Sequence, residues 1–193
     1  YENPSVHHIC SVGDAPIEGC WPDGTYGIDA SCGIYSAIPE LRRAGCGIAV
    51  LTESPPYQFL WGMHFACQGD VHTSVRAELY TAYRVVCNLA FGGRATLVTD
   101  SLVNVNIWHG ASEKAIASIN SDLWKLFYAC VHRKQLAIAL VFVPGHCDTK
   151  VLDPPRVYPM LHKLLNVAAD DLAGKAAALA VIPMHIADPV RKE

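Results

Sequence analysis

The architecture is set by three strand-like runs, TYGIDASC (25–32), AGCGIAVLT (44–52) and YQFLWGMHFACQ (57–68). Each run is short, carries β-branched or aromatic residues, and is separated from the next by a turn-rich segment, IPELRR (38–43) or ESPP (53–56). Three successive short strands of this kind indicate an antiparallel meander.

After the meander the apolar period changes from that of strands to that of helices. From Ser74 to Leu89 the apolar residues share one helical face, with Ser74 as the predicted N-cap and Gly92-Gly93 as the stop. ATLVTD (95–100) is then a short strand that ends in Asp100, and SLVNVNIW (101–108) is compatible with a helix. The order predicts a strand-to-helix step at Asp100.

The last third repeats the alternation. SDLWKLFYACVHRK (121–134) predicts a helix with Leu123, Leu126, Phe127 and Cys130 inward, and LAIALVFV (136–143) predicts a parallel strand covered on both faces. The proline-rich stretch 148–165 is interpreted as a loop, followed by a helix over 166–180 with Asn166 as its N-cap. A meander followed by alternating helices and strands indicates an α/β fold, with a five-stranded mixed sheet flanked by helices.

Length and composition favour one core. The 193 residues are 51% hydrophobic, and no 18-residue apolar run free of charge exists to cross a bilayer. Residues 1–24 are interpreted as an irregular lead-in, 25–182 as the domain and 183–193 as a tail. The opening YENPSVHHIC has no export signal and begins with Tyr1, so we expect a processed piece or fragment with an intracellular location.

Charge and cysteine usage do not exclude a nucleic-acid partner. The net charge is −3, but residues 1–26 hold four acids and no Lys or Arg, so residues 27–193 carry 15 bases against 14 acids. If four of those acids hold cations, the 15 bases stand against 10 remaining acids, which is enough to bind a phosphate backbone locally. The eight cysteines form no C-x-x-C pair, so we expect them to be mostly reduced and buried, with a metal ligand such as Cys10 beside His7 or His8 as the less favoured alternative.

Four acids lie where such a fold concentrates its chemistry. Asp29 is in the first predicted strand, Asp100 ends the fourth, and Glu78 and Asp170 are each one turn into a predicted helix. If the first and fourth strands are neighbours, Asp29 and Asp100 lie side by side and the helices bring in the other two. Carboxylates this close need cations, and hard oxygen ligands select magnesium or manganese. The residues therefore predict a two-metal phosphodiester hydrolase.

Five segments, in order along the chain, resemble the motif series of the ribonuclease H family: IDASC, SVRAELYTA, LVTDSLV, VPGHC and NVAADDLAGKAA. The resemblance spans roughly residues 25–180. It implies a ribonuclease H-like fold and an endonuclease that cleaves the RNA strand of an RNA–DNA hybrid, leaving a 3′-hydroxyl and a 5′-phosphate. It also implies two Mg²⁺ ions as cofactors, for which Mn²⁺ can substitute.

Carried over by motif, the resemblance implies that the catalytic and metal-binding carboxylates are Asp29, Glu78, Asp100 and Asp170. Asp171 is the fallback for the last, because Asn166, Ala169, Asp170, Leu172 and Ala173 together match the family pattern. His146 matches the family's mobile-loop histidine, which is implied to assist proton transfer or product release. For recognition of RNA 2′-hydroxyls we assign substrate binding to Ser31, Cys32, Ser74 and Asn104.

The chain departs from the family pattern without losing a predicted metal ligand. Ala30 stands where the family usually has Gly, an aromatic residue is missing near Cys46, and Val167 stands where the family usually has Glu. After Trp108 the segment HGASEKAIASIN (109–120) lacks a basic protrusion. In lacking this protrusion the chain resembles domains of retroelement polyproteins, in which a neighbouring polymerase domain supplies affinity for the hybrid.

Two alternatives remain open at this stage. One alternative to the nuclease is a catalytically inactive module of the same fold that binds nucleic acid or a partner protein; the other is a different polynucleotidyl transferase or exonuclease of the broad fold. Metal-dependent cleavage separates the first alternative from the enzyme. The Leu-Ala-rich helix around the fourth acid and the Gly-His before it disfavour the second.

Overall fold

The computed structural model describes residues 9–110, 112–145 and 157–191. In this part of the chain, strands and helices alternate largely as the periodicity predicts. The strands are β1 (Cys10–Gly13), β2 (Gly24–Ser31), β3 (Gly45–Leu51), β4 (Phe59–Ala66), β5 (Arg94–Thr99) and β6 (Ala137–Phe142). The helices are α1 (Ser74–Asn88), α2 (Leu102–His109), α3 (Ser112–Ala117), α4 (Ser121–Arg133), α5 (Met160–Ala180) and α6 (Met184–Arg191).

The strands form one mixed sheet in the order β1-β4-β3-β2-β5-β6. β2, β3 and β4 make the predicted antiparallel meander, while β2 pairs with β5, and β5 with β6, in parallel. The mixed α/β architecture is confirmed, as is the predicted adjacency of the strand that carries Asp29 and the strand that precedes Asp100. The predicted strand number of five is wrong, because β1 adds a sixth strand antiparallel to β4.

Helices cover both faces of the sheet. On one face α1 and α4 enclose the main core, in which Ile28, Ile48 and Leu97 of the sheet meet Leu79 and Phe127 of the helices. These side chains are all essentially buried. Since alternate strand residues point to opposite faces, the neighbours of Ile28 and Ile48 face α5 on the other side.

α5 lies unusually close to the sheet because its track on β2 and β3 is made of glycine. A Cβ atom at Gly27 would overlap the carbonyl of Leu165, and one at Gly47 would overlap the backbone of α5 at Ala169 and Ala173. Gly47 is also the residue paired with Asp29 across β2 and β3. The glycine track therefore brings the middle of α5 next to Asp29.

Two predicted helix starts are wrong. The N-cap of α1 is Thr73 rather than Ser74, and its Oγ1 accepts a 3.2 Å hydrogen bond from the backbone N–H of Arg76. α5 begins at Met160 after Pro159, not at Asn166, which lies buried inside the helix. Leu161 and Leu165 pack against Val98 and Val143, and this burial makes a helix of a segment that was interpreted as loop.

Burial corrects two further predictions. Leu126 is 52% exposed rather than inward, and Trp124 on the same helix is buried in its place. β6 is an edge strand covered on one face only, so Ala137 and Ala139 are exposed. Within the predicted C-terminal tail, 183–193, the residues Met184–Arg191 form the helix α6.

The cysteines and the helices bear on the predictions about thiols and membrane spanning. All seven described cysteines are free thiols; Cys46, Cys67 and Cys130 are buried, while Cys20 is exposed, so the prediction of mostly buried thiols holds for only part of the set. The metal-ligand alternative at Cys10 involves His7 or His8, which lie outside the described residues. Within the described ranges, every helix is too short or too polar to span a lipid bilayer.

Candidate active site

Three of the predicted acids meet at the edge of the sheet where β2 and β5 end. Asp29 lies on β2, Glu78 on the second turn of α1 and Asp100 immediately after β5. One carboxylate oxygen from each lies within 4.8 Å of the others. We call Asp29, Glu78 and Asp100 the carboxylate cluster. The parallel pairing of β2 with β5 runs to Gly27 and Val98, and Asp29 and Asp100 each come two residues after that pair; the packing of α1 on the sheet supplies Glu78.

Burial and mutual repulsion make two of these acids hard to ionise. Asp29 and Glu78 are 5% and 6% exposed. Burial, followed by the charges of Asp100 and Glu78, raises the pKa of Asp29 to about 8. Burial and the charge of Asp100 raise the pKa of Glu78 to about 7. A group of carboxylates held together against their own repulsion is poised to bind cations.

Hydrogen bonds hold the two buried carboxylates in place. The backbone N–H of Ala30 donates to Oδ1 of Asp29 at 2.6 Å. The hydroxyl of Thr99 donates to Oε2 of Glu78 at 3.0 Å and accepts from the backbone N–H of Ser101 at 3.1 Å. The hydrogen bond from Thr99 favours the ionised form of Glu78 and so partly offsets the effect of burial on its pKa. Each of these carboxylates keeps one oxygen tied to the scaffold.

Asp100 is half-buried and lies against the turn that follows β6. A Cβ atom built on Gly145 would overlap Oδ2 of Asp100. Only glycine therefore allows this turn to pass so close to the carboxylate without displacing it. His146, the predicted proton-transfer residue, comes next in the sequence but lies outside the described residues, so its role stays a prediction.

The fourth predicted acid lies beside the carboxylate cluster but is not one of its three members. Asp170 is half-buried in the third turn of α5, and its charge contributes to the raised pKa of Asp29. Asp171 is exposed. The start of α5 at Met160 places both acids deep in the helix rather than one turn from its N-terminus. Of the two, Asp170 is the residue whose charge acts on Asp29.

Three of the four predicted substrate-binding residues lie together beside the cluster. Ser31 and Cys32 follow Asp29 at the end of β2, and Sγ of Cys32 lies 3.5 Å from Oγ of Ser74 at the start of α1. Ser31 and Cys32 are half-buried and Ser74 is exposed. Asn104 differs: it is 3% exposed, and its side-chain amide donates to the carbonyl of Val75 at 2.9 Å. In this position Asn104 joins α2 to α1 instead of facing the surface.

Sequence reasoning missed two residues that shape the cluster, Thr99 and Gly145. Alternation along β5 contains the signal for Thr99, because Leu97 lies in the core under α1, and the residue two positions later points toward the same helix. No sequence signal places Gly145 against Asp100, since that contact depends on how β6 ends beside β5.

The donor set suits hard divalent cations. All three side chains of the cluster offer carboxylate oxygens, the ligands that Mg²⁺ and Mn²⁺ prefer. Among residues 9–110, 112–145 and 157–191, this is the one group of three or more His, Cys, Asp or Glu side chains close enough to share a metal ion. Bound cations would relieve the mutual repulsion that adds to burial in raising the pKa of Asp29.

Comparison with solved structures identifies the fold. The chain superposes on the ribonuclease H domain of prototype foamy virus with a TM-score of 0.53 and 19% identity, covering 80% of this chain and 94% of that one. It covers 23% of the foamy virus protease-reverse transcriptase at a TM-score of 0.53 and 20% identity, with 90% of this chain matched. LC9-RNase H1, described as a type 1 RNase H with the type 2 active-site motif, matches at a TM-score of 0.56 and 17% identity, over 83% of this chain and 75% of that one.

These similarities establish the ribonuclease H fold, which the motif resemblance predicts. At such identities they concern the fold alone. No protein-family model and no curated protein sequence matches the chain.

Proposed function

We propose that the chain is a metal-dependent endonuclease that hydrolyses the RNA strand of RNA–DNA hybrids. The observation that carries this proposal is the carboxylate cluster, whose oxygens converge within 4.8 Å at the C-terminal ends of β2 and β5 in a ribonuclease H fold. Two of its members, Asp29 and Glu78, are buried, and burial raises their pKa values. A purely structural role would not require three acids to share one site.

Asp29, Glu78 and Asp100 are the residues that would hold the cations, with Asp170 beside Asp29 as a further ligand. We assign two Mg²⁺ ions, with Mn²⁺ as a substitute, because all of these donors are carboxylates. When bound, such ions stabilise the charge on the attacking and leaving oxygens of a phosphodiester. The protein's part is to keep the carboxylates converged.

The surface beside the cluster supports a substrate that offers 2′-hydroxyls. Ser31, Cys32 and Ser74 present a hydroxyl, a thiol and a second hydroxyl where the substrate strand would approach Asp29. Small polar groups of this kind can donate to and accept from 2′-hydroxyls, which distinguish RNA from DNA. We therefore assign them to the RNA strand and leave Asn104 a structural role.

A neighbouring polymerase domain is the proposed partner. The same fold accounts for 23% of the foamy virus protease-reverse transcriptase chain, so in that protein it is one part of a larger assembly. In this chain the segment between Trp108 and Lys125 contains a single basic residue, Lys114. A chain with so few clustered bases at this position would depend on an attached domain to hold the hybrid.

The test is a cleavage assay on matched end-labelled RNA–DNA hybrid, RNA duplex and DNA duplex, with Mg²⁺ and with EDTA. We expect Mg²⁺-dependent cutting of the RNA strand of the hybrid, with 3′-hydroxyl and 5′-phosphate ends. Hybrid binding without cleavage at any metal concentration would instead identify an inactive binding module. Equal cutting of the DNA duplex would show that the polar surface does not select RNA.

A further inference from the structure

Two thiols face each other at the C-terminal ends of α1 and α4. Cys87 is the penultimate residue of α1, and Cys130 lies in the last turn of α4. Their sulfur atoms are 3.8 Å apart. A disulfide requires about 2.05 Å between sulfurs, so closing the gap takes a shift of less than about 2 Å. Helix ends yield more readily to such a shift than helix centres.

Other contacts keep the two helix ends together. The ammonium group of Lys134, directly after α4, donates to the backbone carbonyl of Cys87 at 2.8 Å and also to that of Leu89. The thiol of Cys130 donates to the carbonyl of Val86 at 3.6 Å. These bonds link α4 and the residue after it to the C-terminal end of α1 next to the sulfur pair.

The two thiols differ in access, which fixes the order of their reactions. Cys130 is 3% exposed, whereas Cys87 is half-buried and reachable from solvent. Burial raises the pKa of the Cys87 thiol, and a hydrogen bond with Tyr83, followed by the charge of Arg84, offsets part of that effect. Arg84 is itself paired with Glu18 at 3.2 Å, so access to solvent, rather than local charge, distinguishes the two thiols. The second thiol contact of this kind, between Cys46 and Cys67, is buried on both sides.

We propose that Cys87 and Cys130 form a dithiol site that low-molecular-weight disulfides, such as oxidised glutathione, convert to an intramolecular disulfide linking α1 to α4. The Cys87 thiolate attacks one sulfur of the oxidant and releases one thiolate, leaving a mixed disulfide on Cys87. Cys130 then loses its proton and attacks Sγ of Cys87, releasing the second thiolate. Two protein thiols are oxidised, one glutathione disulfide is reduced to two thiols, and the two protons pass to the departing thiolates.

This site is separate from the proposed nuclease. Glu78 and Cys87 lie on the same helix about two and a half turns apart, which separates them by about 13 Å along the helix axis. The inference therefore stands or falls independently of the proposed function. Its expected physical consequence is stabilisation, because the bond closes the long segment between α1 and α4 in the unfolded chain.

The experiment exposes the full, fully reduced chain to oxidised glutathione, blocks remaining thiols with N-ethylmaleimide, and maps peptides without reduction. We expect a linked peptide pair containing Cys87 and Cys130, and an unfolding midpoint raised by several degrees that dithiothreitol reverses. The proposal is overturned if both thiols are alkylated by N-ethylmaleimide, which means that they were never oxidised. It is also overturned if either is joined to a different cysteine.

Two variants fix the order of attack even where the linked form is scarce. Cys130→Ser removes the resolving thiol, so the glutathione adduct should accumulate on the peptide containing Cys87. Cys87→Ser should leave Cys130 unmodified, since Cys130 is buried. Cys20→Ser is the matched control, because Cys20 is exposed and Cys87–Cys130 linkage should not change when it is removed. Adduct formation on Cys130 in the Cys87→Ser chain would contradict the proposed order and with it the site.

Discussion

The hydroxyl of Thr99, the last residue of β5, donates a 3.0 Å hydrogen bond to Oε2 of Glu78 on α1. The bond ties the sheet to the helix beside the carboxylate cluster. Thr99 is buried at 1% exposure, so no solvent competes for its hydroxyl. Thr99 does not itself offer a carboxylate; it positions the one that Glu78 provides.

Replacement of Thr99 tests this positioning role. A hydrogen bond to the ionised form lowers a carboxyl pKa, so Thr99→Val should raise the pKa of Glu78 above its value of about 7. Cleavage that needs ionised Glu78 would then begin at higher pH, with the acid limb of the pH–rate profile displaced by up to about one unit. Thr99→Ser should restore the profile. Thr96→Val, a substitution on the same strand away from the cluster, is the matched control; an unmoved acid limb in Thr99→Val would contradict the role.

Asp100→Asn should leave the fold intact and abolish Mg²⁺-dependent cleavage. A neutral amide cannot help hold the cations, and loss of one electrostatic group from an active site costs on the order of 100-fold or more in rate. The turn at Gly145 still fits, because Asn and Asp have the same shape. Cleavage rates and circular dichroism of the variant and the parent decide the matter. Retained activity in a folded variant would remove Asp100 from the metal site.

The strands and helices that sequence reasoning placed correctly are those with a strong period. β2, β3 and β4 are short runs with β-branched or aromatic residues between turn signals, and α1 buries one regular face; sequence pattern records both features directly. β1 was missed because its four residues are mostly exposed and gain order only by pairing with β4. The start of α5 was missed because Met160–Leu165 is helical through its contacts with Val98 and Val143, which are remote in sequence.

Sequence patterns predicted which residues form the site better than they predicted how those residues are arranged. Motif spacing identified Asp29, Glu78 and Asp100, and the structure brings these together. Motif spacing could not show that Asn104 is buried under α1, since an Asn in a helical pattern gives no sign of which residue its side chain contacts. The approach of α5 likewise depends on Gly27 and Gly47, which look like ordinary strand glycines until the helix is seen to lie on them.

The choice between Asp170 and Asp171 can be decided by a matched pair of substitutions. Asp170 is half-buried and its charge reaches Asp29, whereas Asp171 is exposed on the same helix. Asp170→Asn should lower kcat/KM for hybrid cleavage by about 10-fold or more, equivalent to about 1.4 kcal/mol of transition-state stabilisation. Asp171→Asn should leave it unchanged. The reverse outcome would mean that α5 is rotated from the orientation described.

Stability of the metal-free protein should fall as pH rises, because of Asp29. Its folded-state pKa is about 8 against an ordinary value of 3.8, so the folded chain binds this proton more tightly than the unfolded chain does. The resulting stabilisation is fully present below about pH 4 and is lost as pH rises through about 8. In EDTA, the free energy of unfolding should drop by at least about 1 kcal/mol more between pH 5 and pH 8 in the parent than in Asp29→Asn.

Urea denaturation at the two pH values measures that difference, with Asp171→Asn as the exposed control. Added Mg²⁺ should restore stability at pH 8 in the parent but not in Asp29→Asn, since cation binding needs the ionised carboxylate. Equal pH dependence in the parent and in Asp29→Asn would show that this carboxyl does not carry the burial cost assigned to it.

The isolated chain should bind hybrid weakly and in a strongly salt-dependent way. Its 15 bases are dispersed, and α3 and its flanks provide Lys114 alone where a basic protrusion would lie. Each missing phosphate contact removes a share of counterion release, so about 0.1 M salt should already depress affinity. Fusing a basic hybrid-binding segment to the chain should lower KM with little change in kcat, because the segment adds binding that is equal in ground and transition states. Low salt should raise turnover of the unfused chain in the same way.

Affinity measured against salt, with and without the fusion, decides the question. Tight binding by the unfused chain at physiological salt would mean that the chain has an additional hybrid-binding surface. The candidates for it are His162 and Lys163 in the first turn of α5, together with Arg156, which lies outside the described residues.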